Sequence, residues 1–443
     1  MPAPGGRLSA TRKADVIIIG AGASGLAAAR ALRERGVRVE ILEARDRIGG
    51  RIFTHRDPRA PAPIELGAEF LHGSAAETMS IVREAGLIAV DVPDNRWERR
   101  GRTRYPAQDF WRRLEHIMGR MSASREPDRS FHEFLATAPG GRKFARDRAL
   151  AREFVENFHA ADPLRISERA LAKGGSPHGD PNEQRTGRLV DGYDHVPGWL
   201  ARKPHDSVRL RTVVTRIEWE PGAVHLETSK GSYSGKALII TLPIGVLQAR
   251  PGDLGAVSIH PALPRHEEAL SLLSSGPVTR LVMLFREELW RTGEPAQMSS
   301  LLGPDPDVPV FWTPAPQRAP MLVAWAGGRR GAALALLCAD EQRDRAIAAA
   351  ARQFAIPRKK LARLLVDFWT HNWETDPFAR GAYSYPLVGG SKAGEMLARP
   401  LRGTIYFAGE ATVPEADSGT VHGAIRSGHR AAAQVARHLS VRA

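Results

Sequence analysis

A single cysteine, Cys338, stands among the 443 residues of this chain. One thiol cannot close a disulfide within the chain or build a cysteine-based metal site, so no metal centre is expected and a reducing cytosol suits it. No stretch reaches the roughly 18 apolar residues that a membrane-spanning helix needs, and the leader Met1–Lys13 lacks the apolar core of a secretory signal. A cytoplasmic protein without a membrane span is the expectation. Acidic residues are also in short supply: 49 Asp and Glu face 63 Lys and Arg, a formal net charge of +14. A field of that sign attracts nucleic acid, anionic membranes or acidic ligands. The excess, however, is Arg scattered over surface-type stretches such as Arg96–Arg104 and Arg142–Arg148, with no basic run interleaved with base-stacking aromatics, so nucleic acid is not an expected partner.

What remains is an ordinary globular balance, 42% apolar and 25% charged, long enough for two or three domains around a large core. Ala14–Gly20 is a β-branched run ending in glycine, the pattern of a strand buried on both faces. Gly25–Arg35 is made of good helix formers and stops at Gly36, which can take the left-handed position past a helix end. Val37–Leu42 reads as the next strand, completing a βαβ unit. From Ala75 to Gln184 the pattern turns helical, with amphipathic stretches at Glu77–Ala85, Ala107–Met121, Ser130–Leu135 and Arg142–Phe158 and few strand signals. Short alternating runs return at Val208–Leu210, Val213–Trp219, Val224–Thr228 and Ala237–Thr241. Pro261–Pro264 and Pro304–Pro320 read as loops, and Leu361–Trp369 and Ala382–Tyr385 as strands of a second sheet.

Gly20-Ala-Gly22-Ala23-Ser24-Gly25 fits G-x-G-x-x-G between that strand and that helix. The first glycine permits the tight turn, the second lets a pyrophosphate approach the backbone, and the third allows close helix–strand packing. The phosphate charge then rests on the helix N-terminus. Glu43 closes the second strand, where a carboxylate can accept both hydroxyls of an adenosine ribose and disfavours a 2′-phosphate. Neither feature separates FAD from NAD.

The next residues do. Glu43-Ala44-Arg45-Asp-Arg-Ile-Gly49-Gly50-Arg51 resembles the E-A-x-D-R-x-G-G-R signature of the flavin amine oxidases. Gly49-Gly50 brings a second backbone to the diphosphate, and Arg45 and Arg51 offer forked donors to its oxygens. The resemblance recurs along the chain. Ile64–Gly73, with Gly67, Ala68, Glu69 and Phe70, is similar to the stretch beneath the isoalloxazine. Arg188–Tyr193 is similar to an R-x-V-x-G segment, Val213–Ile217 with Val214 to the strand that meets the adenine, and Thr241–Leu247 to a T-x-P-x-G-V-L turn. Trp373–Tyr385 is similar to W-x-x-D-P-x-x-x-G-x-Y-S-Y. Phe407-Ala-Gly409-Glu410 and Thr420-Val421-His-Gly-Ala are similar to the F-A-G-E and T-V-H-G-A elements, which hold the ribityl or diphosphate side and open a helix toward the pyrimidine end of the flavin.

The resemblance implies an α/β fold. A discontinuous Rossmann-type FAD-binding domain would take 1–75, 205–250 and 400–443. A substrate domain of mixed sheet and helices would take 76–204 and 251–399, mainly helical at 76–184. It further implies an FAD-dependent oxidoreductase that takes a hydride equivalent from the α-carbon of a small amine to flavin N5, with O2 reoxidising the flavin to give hydrogen peroxide. Three departures bear on the site. Arg280 stands where the family usually has a Lys beside N5 and, always protonated, would fix a carboxylate, a water or the reduced flavin's charge. Tyr383 matches one wall of the amine cage, but Val413–Ser418 has no aromatic partner, leaving Glu415 or Asp417 as partners for a cation. Ala382 occupies the position of the flavin-attaching Cys, so FAD is expected to be non-covalent. His72 falls where polyamine oxidases carry a substrate-facing group. A carotenoid- or protoporphyrinogen-type desaturase or isomerase, or a non-catalytic flavin binder, stays open as an alternative.

Overall fold

A computed structural model describes residues 11–174, 185–291 and 298–440. Most of the leader and the end of the helical stretch at Gln184 lie outside the described residues. The fold is of the α/β kind expected. Its centre is a five-stranded parallel sheet in the order Val208–Arg209, Val39–Leu42, Val16–Ile19, Ala237–Ile240, Ile405–Phe407. Val16–Ile19 and Ala237–Ile240 at its middle, and Ile405–Phe407 at its edge, are buried at every position, as a sheet covered on both faces demands.

Alternate residues of these strands feed two different cores. Val16, Ile18, Ile41 and Ile239 pack with Leu26, Ala29 and Leu32 of the helix Ala23–Glu34 and with Ile425, Ala432 and Val435 of the helix Val421–His438. Ile17, Ile19, Leu238 and Phe407 pack the other way, onto Ile217, Val224, Leu226 and Tyr233 of an antiparallel meander. That meander runs through Val214–Glu220, Ala223–Thr228 and Gly231–Gly235. Every strand of the parallel sheet ends at one edge, where Gly20, Glu43, Thr241 and Gly409 follow in the loops, the edge at which open α/β sheets place their ligands. Gly36 takes φ +76 past the first helix, as its position required.

A second, seven-stranded sheet runs Leu365–Thr370, Val278–Phe285, Met321–Gly327, Val310–Trp312, Ser300–Leu302, Arg96–Arg100, Thr103–Pro106. Against one end of it lie the helices Phe110–Met118, Phe131–Ala136, Ala145–Phe158 and Glu168–Lys173, gathered on Leu114, Ile117, Phe134 and Val155. Ser130 and Glu133 form a reciprocal capping box at the start of the second of these helices, which satisfies two orphan donors of that helix end.

Three expectations need correction. Arg96–Arg104 lies at the surface as expected, but it forms an edge hairpin where few strand signals were read, with Trp97 buried and Arg96 stacked on Phe110 and Trp111. Its dense charge suits an edge, where charges discourage further pairing. Pro304–Pro320 is not all loop, because Val310–Trp312 pairs on both sides inside the sheet. Leu361–Trp369 begins as the end of a helix, Arg358–Leu364, and only then extends.

Candidate active site

A cavity of about 1260 Å³ opens at the carboxyl edge of the parallel sheet and continues between the seven-stranded sheet and the helices. Ligand pockets for drug-sized molecules span roughly 300–1,000 Å³, so this one has room for a dinucleotide and a second molecule. Its first part is lined by Gly20, Gly22, Ala23, Ser24, Glu43, Ala44, Arg45, Gly49, Gly50, Arg51 and Val214. The glycines there divide their work as expected. Gly20 has φ +102, and a Cβ on Gly25 would sit 2.0 Å from the Gly20 carbonyl oxygen. A Cβ on Gly22 would meet protein only at 4.0 Å, the Gly49 carbonyl oxygen. The space in front of Gly22 therefore belongs to whatever fills the cavity, which is the test a pyrophosphate cradle has to meet.

The Glu43 carboxylate is held in place by two backbone donors, Ala21 N–H at 2.8 Å and Arg45 N–H at 2.9 Å. Both oxygens keep a second lone pair, as two ribose hydroxyls need. The two arginines are more committed than their motif suggested. Arg45 donates to Asp376 at 2.7 Å, and Arg51 to Glu410 at 3.0 Å and to the Ala382 carbonyl oxygen. Asp376 is partly buried, which raises a carboxyl, yet His371 and Arg45 hold it far below the usual carboxylate range. The D-P element thus anchors Arg45. Glu410 also accepts from Ser384 Oγ at 2.7 Å and from Gly419 N–H at 3.1 Å.

On the opposite wall Thr420 caps the helix Val421–His438, its Oγ1 accepting from Gly423 N–H at 3.0 Å. Ser427 of that helix bonds Ser24 Oγ at 3.0 Å and accepts from Gly409 N–H at 2.8 Å, tying the two helix starts to the Gly409 loop. From Glu43 and Val214 the cavity runs past Gly20–Gly25 and Gly49–Arg51 to Gly67–Phe70 and Thr420–Val421.

That far part is an aromatic chamber, lined by Phe110, Trp111, Phe154, Phe158, Trp312, Trp325 and Tyr383. Tyr383 donates its hydroxyl to the Phe158 carbonyl oxygen at 2.7 Å, and burial pushes its phenol pKa up. His72 is exposed where it lines the cavity, while the protein packed around that opening, with His422 nearby, pushes its pKa down to about 4. Burial does the same to His159. Both imidazoles are neutral at ordinary pH.

Arg280 is not at the surface. It lies on the strand Val278–Phe285, 4% exposed, and donates to the Gly67 carbonyl oxygen at 2.9 Å and to the Glu69 carboxylate. Glu69 also receives Trp312 Nε1 at 3.0 Å and Arg188 at 2.9 Å. The carboxylate that Arg280 fixes is thus one of the protein's own. Asp417 is likewise taken, by His422 at 3.2 Å and by Arg426, and these partners hold it below its usual range. Glu415 lines the cavity, and burial raises its carboxyl.

Sequence reasoning did not single out Arg188, Trp312, Trp325 or His159 as site residues. Arg188 carried a signal, as the first residue of the R-x-V-x-G segment. The two tryptophans carried none, since a buried Trp is ordinary core. Among the described residues no cluster of three or more His, Cys, Asp or Glu could hold a metal, and no helix is long and apolar enough to cross a membrane.

A parallel sheet with a glycine cradle at its carboxyl edge, a buried carboxylate closing its second strand and a chamber beyond are the features of a dinucleotide-binding protein. More particularly, the chain belongs to the flavin containing amine oxidoreductases, whose family model matches residues 23–436. It is 27% identical over 470 residues to polyamine oxidase 4 of Oryza sativa subsp. japonica, covering 96% of this chain and 89% of that protein. It is 25% identical over 457 residues to human lysine-specific histone demethylase 2, covering 95% of this chain and 53% of that protein, so it spans about half the length of that relative. Among solved structures, putrescine oxidase bound to putrescine superposes with a TM-score of 0.80 at 22% identity, covering 97% of this chain and 100% of that one. Cyclohexylamine oxidase from Brevibacterium oxydans IH-35A superposes with a TM-score of 0.80 at 22% identity, covering 96% and 99%. These two likenesses show the fold.

Proposed function

We propose that the chain oxidises a small amine at the carbon bearing nitrogen, giving an imine that water then hydrolyses. The dinucleotide unit would comprise 1–75, 205–250 and 400–443 and the substrate unit 76–204 and 251–399. FAD, bound without a covalent link, would supply the hydride acceptor, and O2 would take the electrons on to hydrogen peroxide. The observation that carries this reading is the continuity of one cavity from the Gly22 cradle to an aromatic chamber that presents no free carboxylate from Glu69 or Asp417.

The chain's own residues select the substrate's protonation state. A hydride can leave the α-carbon only when the nitrogen lone pair is free to form the C=N bond. Glu69 is neutralised by Arg188 and Arg280, and His72 is uncharged, so neither rewards an ammonium ion. His72 can accept a hydrogen bond from a neutral amine without protonating it. Tyr383, Trp312 and Trp325 supply apolar walls that exclude water, and Arg280 fixes the Gly67–Glu69 wall through two acceptors. Polyamine and putrescine oxidase relatives support amines as the substrate class, and family membership weighs against the desaturase or isomerase reading.

Anaerobic mixing of the FAD-loaded protein with a panel of alkyl, aryl and polyamines tests the reading. At least one amine bleaches the flavin bands, and admitting air restores them with release of peroxide. A flavin that dithionite reduces but no amine bleaches would overturn it.

A further inference from the structure

Arg188 and Arg280 come from different sheets, the first from the strand Thr186–Leu189 beside Phe70–His72, the second from the middle of the seven-stranded sheet. They converge on one carboxylate, Glu69, and the three side chains are 7%, 4% and 9% exposed. Two guanidinium groups against one carboxylate leave a single positive charge in excess. The remaining donors do not disperse it: Arg188 also serves the Ala315 carbonyl oxygen at 2.9 Å and Arg280 that of Gly67. The Nε of each is buried without a hydrogen-bond partner among the described residues.

The other ionisable groups nearby do not cancel the excess. Arg51 and Glu410 neutralise each other. Glu65 lies behind the cluster, bonded by Tyr193 N–H and Thr54 Oγ1 at 2.7 Å each, and burial pushes its carboxyl up to about 7. Arg56 is matched by Asp194. His72 carries no charge. In an interior of low effective dielectric an unmatched charge acts over several ångströms.

We propose that Arg188 and Glu69 are positioning residues that, with Arg280, set a fixed net positive charge in the cavity wall at Gly67–Phe70, where it favours the reduced, more negative form of the bound flavin. The inference rests on FAD occupying this cavity with its redox ring at the chamber end, as proposed above. It accounts for an Arg at position 280, where a guanidinium serves as a constant charge and not as a proton carrier. The excess cation is as much Arg188's as Arg280's, and Glu69 both gathers the pair and limits its charge to one.

The sign of the response separates charge from structure. Midpoint potentials of FAD-loaded protein are titrated with a reference dye at about pH 6, where Glu65 is still protonated. Arg188→Met lowers the potential, shifting the reduction equilibrium about tenfold, or about 30 mV for a two-electron couple. Arg188→Lys, which keeps the charge, stays near the wild-type value. Glu69→Gln removes a negative charge and moves the potential upward. Equal shifts for Arg188→Met and Arg188→Lys, or a downward shift in Glu69→Gln, overturn the proposal. If Glu69→Gln does not fold, the Arg188 pair decides, and Arg280→Met against Arg280→Lys replaces that pair if Arg188→Met loses its flavin. A wild-type chain that takes up no FAD refutes the functional reading itself. One that takes up FAD and is bleached by an amine, but shows no charge-dependent shift, refutes only this inference.

Discussion

Glu65 and the two cavity histidines pull the protein's stability in opposite directions as pH changes. The Glu65 carboxyl titrates near 7 in the folded chain against an ordinary 4.5. Between those values the unfolded chain has released the proton that the folded chain still holds, so stability falls as pH rises from 4.5 to 7, by up to about 3 kcal/mol. Glu65→Gln therefore flattens that decline, read from urea midpoints at about pH 5 and about pH 8. His72 and His159 titrate near 4 against an ordinary 6.5. Here the unfolded chain gains protons that the folded one refuses, so stability is full above 6.5 and is lost as pH falls toward 4. His159→Asn shrinks that acid-side loss. The same low pKa gives a kinetic expectation: kcat/KM for an amine rises with pH through the substrate's own ammonium pKa, and His72→Asn leaves that inflection where it was. An inflection that moves in His72→Asn would make His72 the titrating group.

Glycines at the cradle separate binding from folding at the level of the turn and its helix. A methyl on Gly25 would overlap the Gly20 carbonyl oxygen, whereas one on Gly22 enters open cavity. Gly22→Val is expected to keep a near wild-type melting temperature as apoprotein while weakening FAD at least about tenfold, roughly 1.4 kcal/mol. Gly25→Val lowers both. The helix pair makes the same point elsewhere: a Cβ on Gly428 would lie 2.2 Å from the Ser24 carbonyl oxygen, so Gly428→Val pries the two helices apart and lowers the melting temperature. Much of this was readable in advance. The βαβ unit announced itself because its strands are buried on both faces and its turn needs glycine. The edge hairpin Arg96–Pro106 did not, since a strand exposed along one side can be almost all charge, and Val310–Trp312 was hidden between prolines. The Glu43 site was legible because its residues are consecutive. The Glu69 cluster was not, because Arg188, Arg280 and Trp312 meet it only through sheet pairing across more than a hundred residues.

For the molecule as a whole, the place of the lone thiol bears on how the flavin is held. Cys338 is exposed at the start of the helix Ala339–Phe354 and is not among the cavity residues. Acid or heat denaturation should accordingly leave a yellow supernatant over a colourless pellet, and a pellet that keeps its colour would mean another side chain is bonded to the ring. The larger consequence lies in how the central sheet is assembled. Its strands come from three distant stretches, and the last, Ile405–Phe407, closes the edge beside Ala237–Ile240 just before the helix that completes the cradle. During synthesis the ribosome must deliver the chain through the helix Val421–His438 before a nucleotide can be gripped from both sides. Until then the helical and seven-stranded parts must wait around an unfilled gap, so the supply of the yellow coenzyme in the growing cell should govern how much of this protein survives its own birth.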